Sequence, residues 1–140
     1  MAEASRFADL FAAAAKAREN AHAPYSNFKV GASLLTRDGN VVAACNVENA
    51  AYSQAQCAEA SAIGTMVAQY GASIIVEALV IGGEEGDGLL CSPCGGCRQR
   101  LREFALLDTP VHICGPEGLR KTMTIDQLLP ESFGPNNLDK

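Results

Sequence analysis

The chain has 140 residues, 48% of them hydrophobic and 19% charged, with six Cys, five Phe, three Tyr and no Trp. That composition excludes intrinsic disorder, and a net charge of −5 lacks the basic excess that a polynucleotide-tracking surface needs. The length fits one domain over residues 1–140, enough to bury about two-thirds of the unfolded surface without covalent staples.

The first helix is expected from Phe7, Leu10, Phe11 and Ala14, which recur at helical spacing while Asp9, Lys16 and Arg18 face water; it stops before Pro24. Residues 28–34 alternate Phe28, Val30, Ala32 and Leu34 with Lys29, Gly31 and Ser33, the pattern of a strand with one buried face. Asp38-Gly39 is a hairpin turn, and residues 41–47 form the return strand. A loop over 48–56 leads into a helix from Cys57 to Gly71, and the β-branched run 74–81 reads as a buried central strand. After an acidic, Gly-rich loop over 82–88, residues 89–91 read as a short strand, and Pro93 marks the start of a helix running towards Leu107. Residues 110–114 form a further strand, 115–118 a turn, and Thr124-x-x-Gln127 opens a last short helix as a capping box. Strands joined through helices pair in parallel and the hairpin adds an antiparallel edge. The expected fold class is therefore α/β, a three-layer α/β/α sandwich around a mixed sheet of about five strands.

Residues 1–20 carry Glu3, Asp9 and Glu19, and their longest apolar run is 10–15, unlike a secretory leader. Nothing approaches the roughly 18 apolar residues of a spanning helix. The expected compartment is cytoplasmic, with no membrane partner, and there thiols stay reduced. The six Cys are accordingly read for metal or catalysis before disulfides.

Cys57-Ala58-Glu59 and Pro93-Cys94-Gly95-Gly96-Cys97 carry the chemistry. Two Cys separated by two residues in a first helical turn point to one place, and the free N–H groups of a helix start favour thiolate. Three thiolates from two helix starts suit Zn²⁺ and leave a fourth tetrahedral position open. Glu59, two residues after a ligand, projects beside the metal and can move a proton there. Two other arrangements compete: a closed structural site that adds Cys91, and cysteines unrelated to metal. Cys45, Cys91 and Cys114 also read as small core hydrophobes, and His112 as a satisfied core histidine.

These motifs resemble the zinc cytidine deaminases, in particular the small homotetrameric class with three Cys ligands. The likeness extends to the run from Ala23-Pro24-Tyr25 through Gly31-Ala32, to Asn46-Val47-Glu48-Asn49-Ala50, to Arg98-Gln99, and to Leu128-Leu129-Pro130 with Phe133-Gly134-Pro135. Together they cover residues 21–138 in family order. The resemblance implies a cytidine deaminase-like fold and hydrolysis of free cytidine and 2′-deoxycytidine to uridine and 2′-deoxyuridine plus ammonia, in pyrimidine salvage. It implies one Zn²⁺ per chain on Cys57, Cys94 and Cys97, attack by zinc-bound hydroxide, and Glu59 as proton shuttle. By the same resemblance the Ala58 N–H holds the pyrimidine O2, the Ser92 carbonyl accepts from the amino group, Asn46 and Glu48 bind the ribose, and Phe28 packs on the base. Tyr52 and Phe133 match positions that reach a neighbouring subunit, so a homotetramer with shared active sites is expected.

One position departs from the family pattern. Many members place an Arg directly after Cys-Ala-Glu, where this chain has Ala60. Three thiolates on one Zn²⁺ leave a negative centre, and Arg98, beside Cys97, is the expected source of compensating charge. The rival functions are a same-fold deaminase of a nucleoside antibiotic or modified cytosine, a polynucleotide editor, and a non-enzymatic zinc-stabilised binding domain with the four-Cys site.

Overall fold

A computed structural model describes residues 5–139. In chain order the elements are helix α1 (Phe7–Glu19), strands β1 (Gly31–Thr36) and β2 (Val41–Cys45), helix α2 (Ala58–Tyr70), strand β3 (Ile75–Ile81), helix α3 (Gly95–Phe104), strands β4 (Pro110–Gly115) and β5 (Gly118–Thr124), and the short helix α4 (Ile125–Leu128). Single 3₁₀ turns form at Tyr52–Gln54 and Pro135–Leu138.

The five strands make one mixed sheet in the order β2-β1-β3-β4-β5, with β3 and β4 parallel and the other neighbours antiparallel. Consecutive residues of one strand feed two cores. Leu34 joins Ala62, Met66 and Leu101 under α2 and α3, while Leu35 joins Leu10 and Ala14 under α1. That is the α/β/α sandwich, α1 on one face and α2, α3 and α4 on the other. Fully burying each such Leu contributes about 1.5–3 kcal/mol.

Three strand expectations are corrected. The first strand begins at Gly31, not Phe28, and all six of its residues are buried. Its small members read as polar but sit under α1: Ser33 donates to the Leu10 carbonyl at 2.7 Å, and Gly31 lies so close to the Ala14 carbonyl that no Cβ would fit. Residues 89–91 form no strand; Leu89 and Leu90 are exposed. The fifth strand is instead Gly118–Thr124, a half-exposed edge that pairs with β4 and carries Arg120 and Lys121. The hairpin turn at Asp38-Gly39 and the Thr124/Gln127 capping box both form as read.

Strand direction decides where chemistry can collect. β2, β3 and β4 run the same way, with β1 between β2 and β3 running against them. Gly31, Cys45, Ile81 and Cys114 therefore share one rim of the sheet. The connections from β2 into α2 and from β3 into α3 both leave from that rim, the usual place for a ligand crevice in an open α/β sheet.

Candidate active site

Cys57 is the N-cap of α2 and Cys94 the N-cap of α3, both in extended backbone conformation. Cys97 follows one turn into α3 and is fully buried. The three sulfurs lie within 4.8 Å of one another, with Cys57 Sγ and Cys94 Sγ 4.0 Å apart. Tetrahedral thiolates on a shared Zn²⁺ stand about 3.8 Å apart, from bonds of about 2.3 Å, so this donor set fits the ion. Cys91 is outside the cluster, and the closed four-Cys arrangement does not form among the described residues.

Local packing brings the two helix starts together. Ala58 rests on Ala32 and Val80, and these small side chains let the first turn of α2 sit against the sheet. Val47 and Gln56 exchange backbone hydrogen bonds at 3.0 and 2.9 Å, which ties the segment after β2 to the residue before Cys57.

The metal-free thiols are pulled in different directions. The backbone N–H of Cys97, helped by that of Gly96, holds the Cys94 thiol below its ordinary value despite some desolvation. Burial pushes Cys57 up, and burial with the negative charge of Glu59 pushes Cys97 up further. Burial likewise pushes Cys91 up, to about 11. Glu59 is 7% exposed, and burial raises its carboxyl above the usual carboxylate range.

These groups border a cleft of about 270 Å³ lined by Asn46, Glu48, Cys57, Ala58, Glu59, Cys91, Ser92 and Cys94, with Val30, Ala55 and Gln56 completing the wall. The Asn46 side chain accepts from the Val30 N–H and donates to the Phe28 carbonyl, both at 2.9 Å, leaving one N–H and one acceptor lone pair free. Glu48 accepts from the Tyr25 and Ser26 N–H groups and from the Ser26 hydroxyl, and the hydroxyl contact leads the effects that lower its pKa. Among the described residues no donor reaches the Ser92 carbonyl.

Three expected site residues lie elsewhere. Phe28, 46% exposed, faces a separate hollow of about 470 Å³ with Phe11, Arg18 and Lys29. Tyr52 is 75% exposed and stacks edge-on against Tyr25, with ring centroids 5.7 Å apart, over a neighbouring hollow that shares Glu48 with the cleft. Phe133, 56% exposed, stands on the C-terminal tail. Arg98 makes no hydrogen bond to sulfur among the described residues; it donates to the Pro93 carbonyl at 2.7 Å, the Leu128 carbonyl at 2.8 Å and Ser92 Oγ at 3.3 Å. It braces the turn before Cys94 instead of touching a ligand. Sequence reasoning missed Cys91 as a cleft residue, because a half-buried Cys in an apolar run looks like core packing.

A sandwich with two helix starts converging on three thiols and a buried carboxylate defines a thiolate metal site with a proton acceptor beside it, the arrangement that the resemblance to zinc deaminases implies. The family profile described as "Cytidine and deoxycytidylate deaminase zinc-binding region" matches residues 5–113. The cytidine deaminase of Sporosarcina psychrophila is 40% identical over 129 residues, covering 92% of each chain. That of Mycobacterium tuberculosis is 36% identical over 131 residues, covering 91% of this chain and 89% of the relative. The crystal structure of the Burkholderia pseudomallei cytidine deaminase superimposes with a TM-score of 0.81 at 39% identity, covering 92% of this chain and 100% of that one. The chain belongs to the cytidine and deoxycytidylate deaminase family, and it carries that family's zinc-binding region.

Proposed function

We propose that this chain catalyses the hydrolytic deamination of free cytidine and 2′-deoxycytidine, consuming water and releasing ammonia with uridine or 2′-deoxyuridine. The observation that carries the reading is Glu59, a buried carboxylate lining the same cleft as Cys57 and Cys94, above the three-thiol cluster. The relatives named as cytidine deaminases over nine-tenths of the chain support it.

Cys57, Cys94 and Cys97 hold one zinc ion per chain. Zn²⁺ held there would supply Lewis acidity, which makes a water molecule easier to deprotonate. Glu59 takes a proton from the attacking water, places it on N3 of the pyrimidine, and later delivers one to the departing ammonia. The Ala58 N–H, free in the first turn of α2, holds the O2 oxygen, and the Ser92 carbonyl accepts from the 4-amino group. Asn46 and Glu48 bind the ribose 3′-hydroxyl with the hydrogen-bonding capacity their backbone contacts leave over. Phe28 packs on the base.

Tyr52 and Phe133 serve a neighbouring subunit's cleft in a homotetramer with shared active sites. Their exposure, and that of Leu89 and Leu90 beside the metal-binding segment, supports the assembly. Among the described residues no helix is long and apolar enough to cross a membrane. We place the enzyme in the cytoplasm, in pyrimidine salvage, as a single domain acting on free nucleosides; the net charge of −5 supports that substrate over a nucleic acid polymer.

The test is uridine formation from cytidine by the purified zinc-loaded protein, with Glu59→Gln alongside. Turnover in the wild type and a loss of about 10²–10⁴ in the variant are expected. Absence of turnover with both cytidine and deoxycytidine in zinc-loaded protein overturns the reading in favour of a modified pyrimidine.

A further inference from the structure

The segment from residue 89 to 94 carries the chain from the loop after β3 to a metal ligand, and it holds Cys91 and Ser92 in the cleft wall. It belongs to neither sheet nor helix. Among the described residues, Leu89, Leu90, Cys91, Ser92 and Pro93 make no backbone–backbone hydrogen bond. Side chains must therefore place it. Arg98 holds its downstream end through Pro93 and Ser92.

The upstream end is held by Arg120, on the edge strand β5. Its side chain is only 9% exposed despite that position. The guanidinium lies across Gly115, where any Cβ would collide with it. It donates to the Leu89 carbonyl at 2.5 Å, the Glu84 carbonyl at 2.7 Å and Asp87 Oδ1 at 2.6 Å, and to both carboxylate oxygens of Glu117 at 2.7 and 3.0 Å. Asp87 in turn accepts from the backbone N–H groups of Glu84 and Leu89, each at 2.8 Å. Arg120 and Asp87 thus hold the carbonyl and the N–H of the same residue, Leu89. Two residues further on, the Cys91 thiol presses on Gly82, where a side chain would not fit.

We propose that Arg120 is a positioning residue for the active site: by fixing Leu89 and the loop before it, it sets the course of the chain through Cys91 and Ser92 to Cys94. The inference rests on the cleft being the active site. A planar fork with five N–H donors can satisfy two carbonyls and two carboxylates at once, which a lysine ammonium cannot. Without it, Asp87 and Glu117 are left as neighbouring negative charges, and Leu89 loses its carbonyl partner. The slack falls on Cys91 and Ser92, which line the cleft, and runs along the chain towards Cys94.

The experiment compares zinc-loaded wild type with Arg120→Met and with Asp87→Ala, which loosens the same loop by a substitution outside β5. The readouts are the rate at which a chromogenic chelator strips zinc, KM and kcat for cytidine, and the thermal midpoint. Groups bonded directly to metal ligands are worth about 10–100-fold in metal affinity; Arg120 acts one step further out, so zinc loss about threefold or more faster is expected in Arg120→Met. A raised KM should accompany it, with Asp87→Ala changed in the same direction. Wild-type zinc release and KM in both variants overturn the proposal, whatever happens to the thermal midpoint. Should the wild type fail to deaminate cytidine, the functional reading falls, and the zinc-release rates still decide the role of Arg120.

Discussion

The guanidinium of Arg102 occupies the space that a Cβ on Gly134 would need, while donating to Ser132 Oγ at 2.8 Å and Asn136 Oδ1 at 3.0 Å. One turn earlier on α3, Gln99 donates to the Phe133 carbonyl at 2.8 Å. The helix whose start supplies Cys94 and Cys97 therefore also clamps the tail that presents Phe133. The backbone of Gly134 is extended, with φ of −150°, so a side chain there meets the guanidinium and not a conformational barrier. Gly134→Ala is expected to displace Arg102 from Ser132 and Asn136 at a cost of about 1–3 kcal/mol, read as a lower urea midpoint at unchanged slope.

Cys91→Ser separates a three-ligand site from a four-ligand one. Cys91 lines the cleft yet stands apart from the sulfur cluster. Zinc content of one ion per chain is expected in the variant, and stoichiometric loss of zinc would falsify the three-ligand assignment.

Metal removal should lower stability as well as activity. The ligands come from two helices that start at separate strand ends, and metal that binds only the folded chain adds its binding free energy to folding. At free zinc about 100 times Kd this contributes about 2.7 kcal/mol. Differential scanning calorimetry with and without chelator should show a lower midpoint for the stripped protein, and coincident transitions would contradict the linkage.

Acid stability should pass through Glu77. This 7%-exposed carboxylate accepts from the Ser5 hydroxyl at 2.7 Å and meets His112 Nε2 at 2.6 Å, and His112 Nδ1 lies 2.9 Å from Thr122 Oγ1. Burial pushes its pKa up, but the Ser5, His112 and Arg6 contacts outweigh it and leave the group below its ordinary 4.5. A folded-state pKa below the unfolded one gives stability that is complete above pH 4.5 and disappears as pH falls through the lower native value. Glu77→Gln should be less stable than wild type at neutral pH, with the gap closing in that acidic window. A constant gap down to the acid transition would contradict this.

Shared active sites predict complementation. If the proposed roles hold, a Glu59→Gln chain lacks the proton shuttle but still offers Phe133, while a Phe133→Ala chain keeps Glu59. Subunits of the two variants, mixed and reassembled, should show more activity than the sum of the separate preparations. A strictly additive result would place Phe133 outside its neighbour's cleft.

The parts legible in the sequence were those set by neighbouring residues. The Thr124/Gln127 box, the Asp38-Gly39 turn and the Cys-x-x-Cys at the start of α3 each depend on a few consecutive side chains. Strand identity at the sheet edge was not legible. Leu89 and Leu90 have strand-like side chains but no partner strand, whereas residues 119–123, between the turn read at 115–118 and the capping box, become part of β5 because β4 offers them a free edge. The deaminase motif pointed to the thiols and Glu59 from spacing alone, yet Arg120 could not be found that way. Its partners at Asp87 and Leu89 are brought to it only by the β4–β5 hairpin.

The common direction of β2, β3 and β4 divides the molecule into two ends with different tolerances. Asn46, Glu48, Cys57, Glu59, Ser92 and Cys94 all follow strand ends on the rim marked by Gly31, Cys45 and Ile81, whereas the Asp38-Gly39 turn is exposed at the other. A peptide tag or a small reporter domain inserted between Asp38 and Gly39 would lengthen a surface turn a full strand away from the chemistry, making that position the natural handle for immobilising or tracking the enzyme without blunting it.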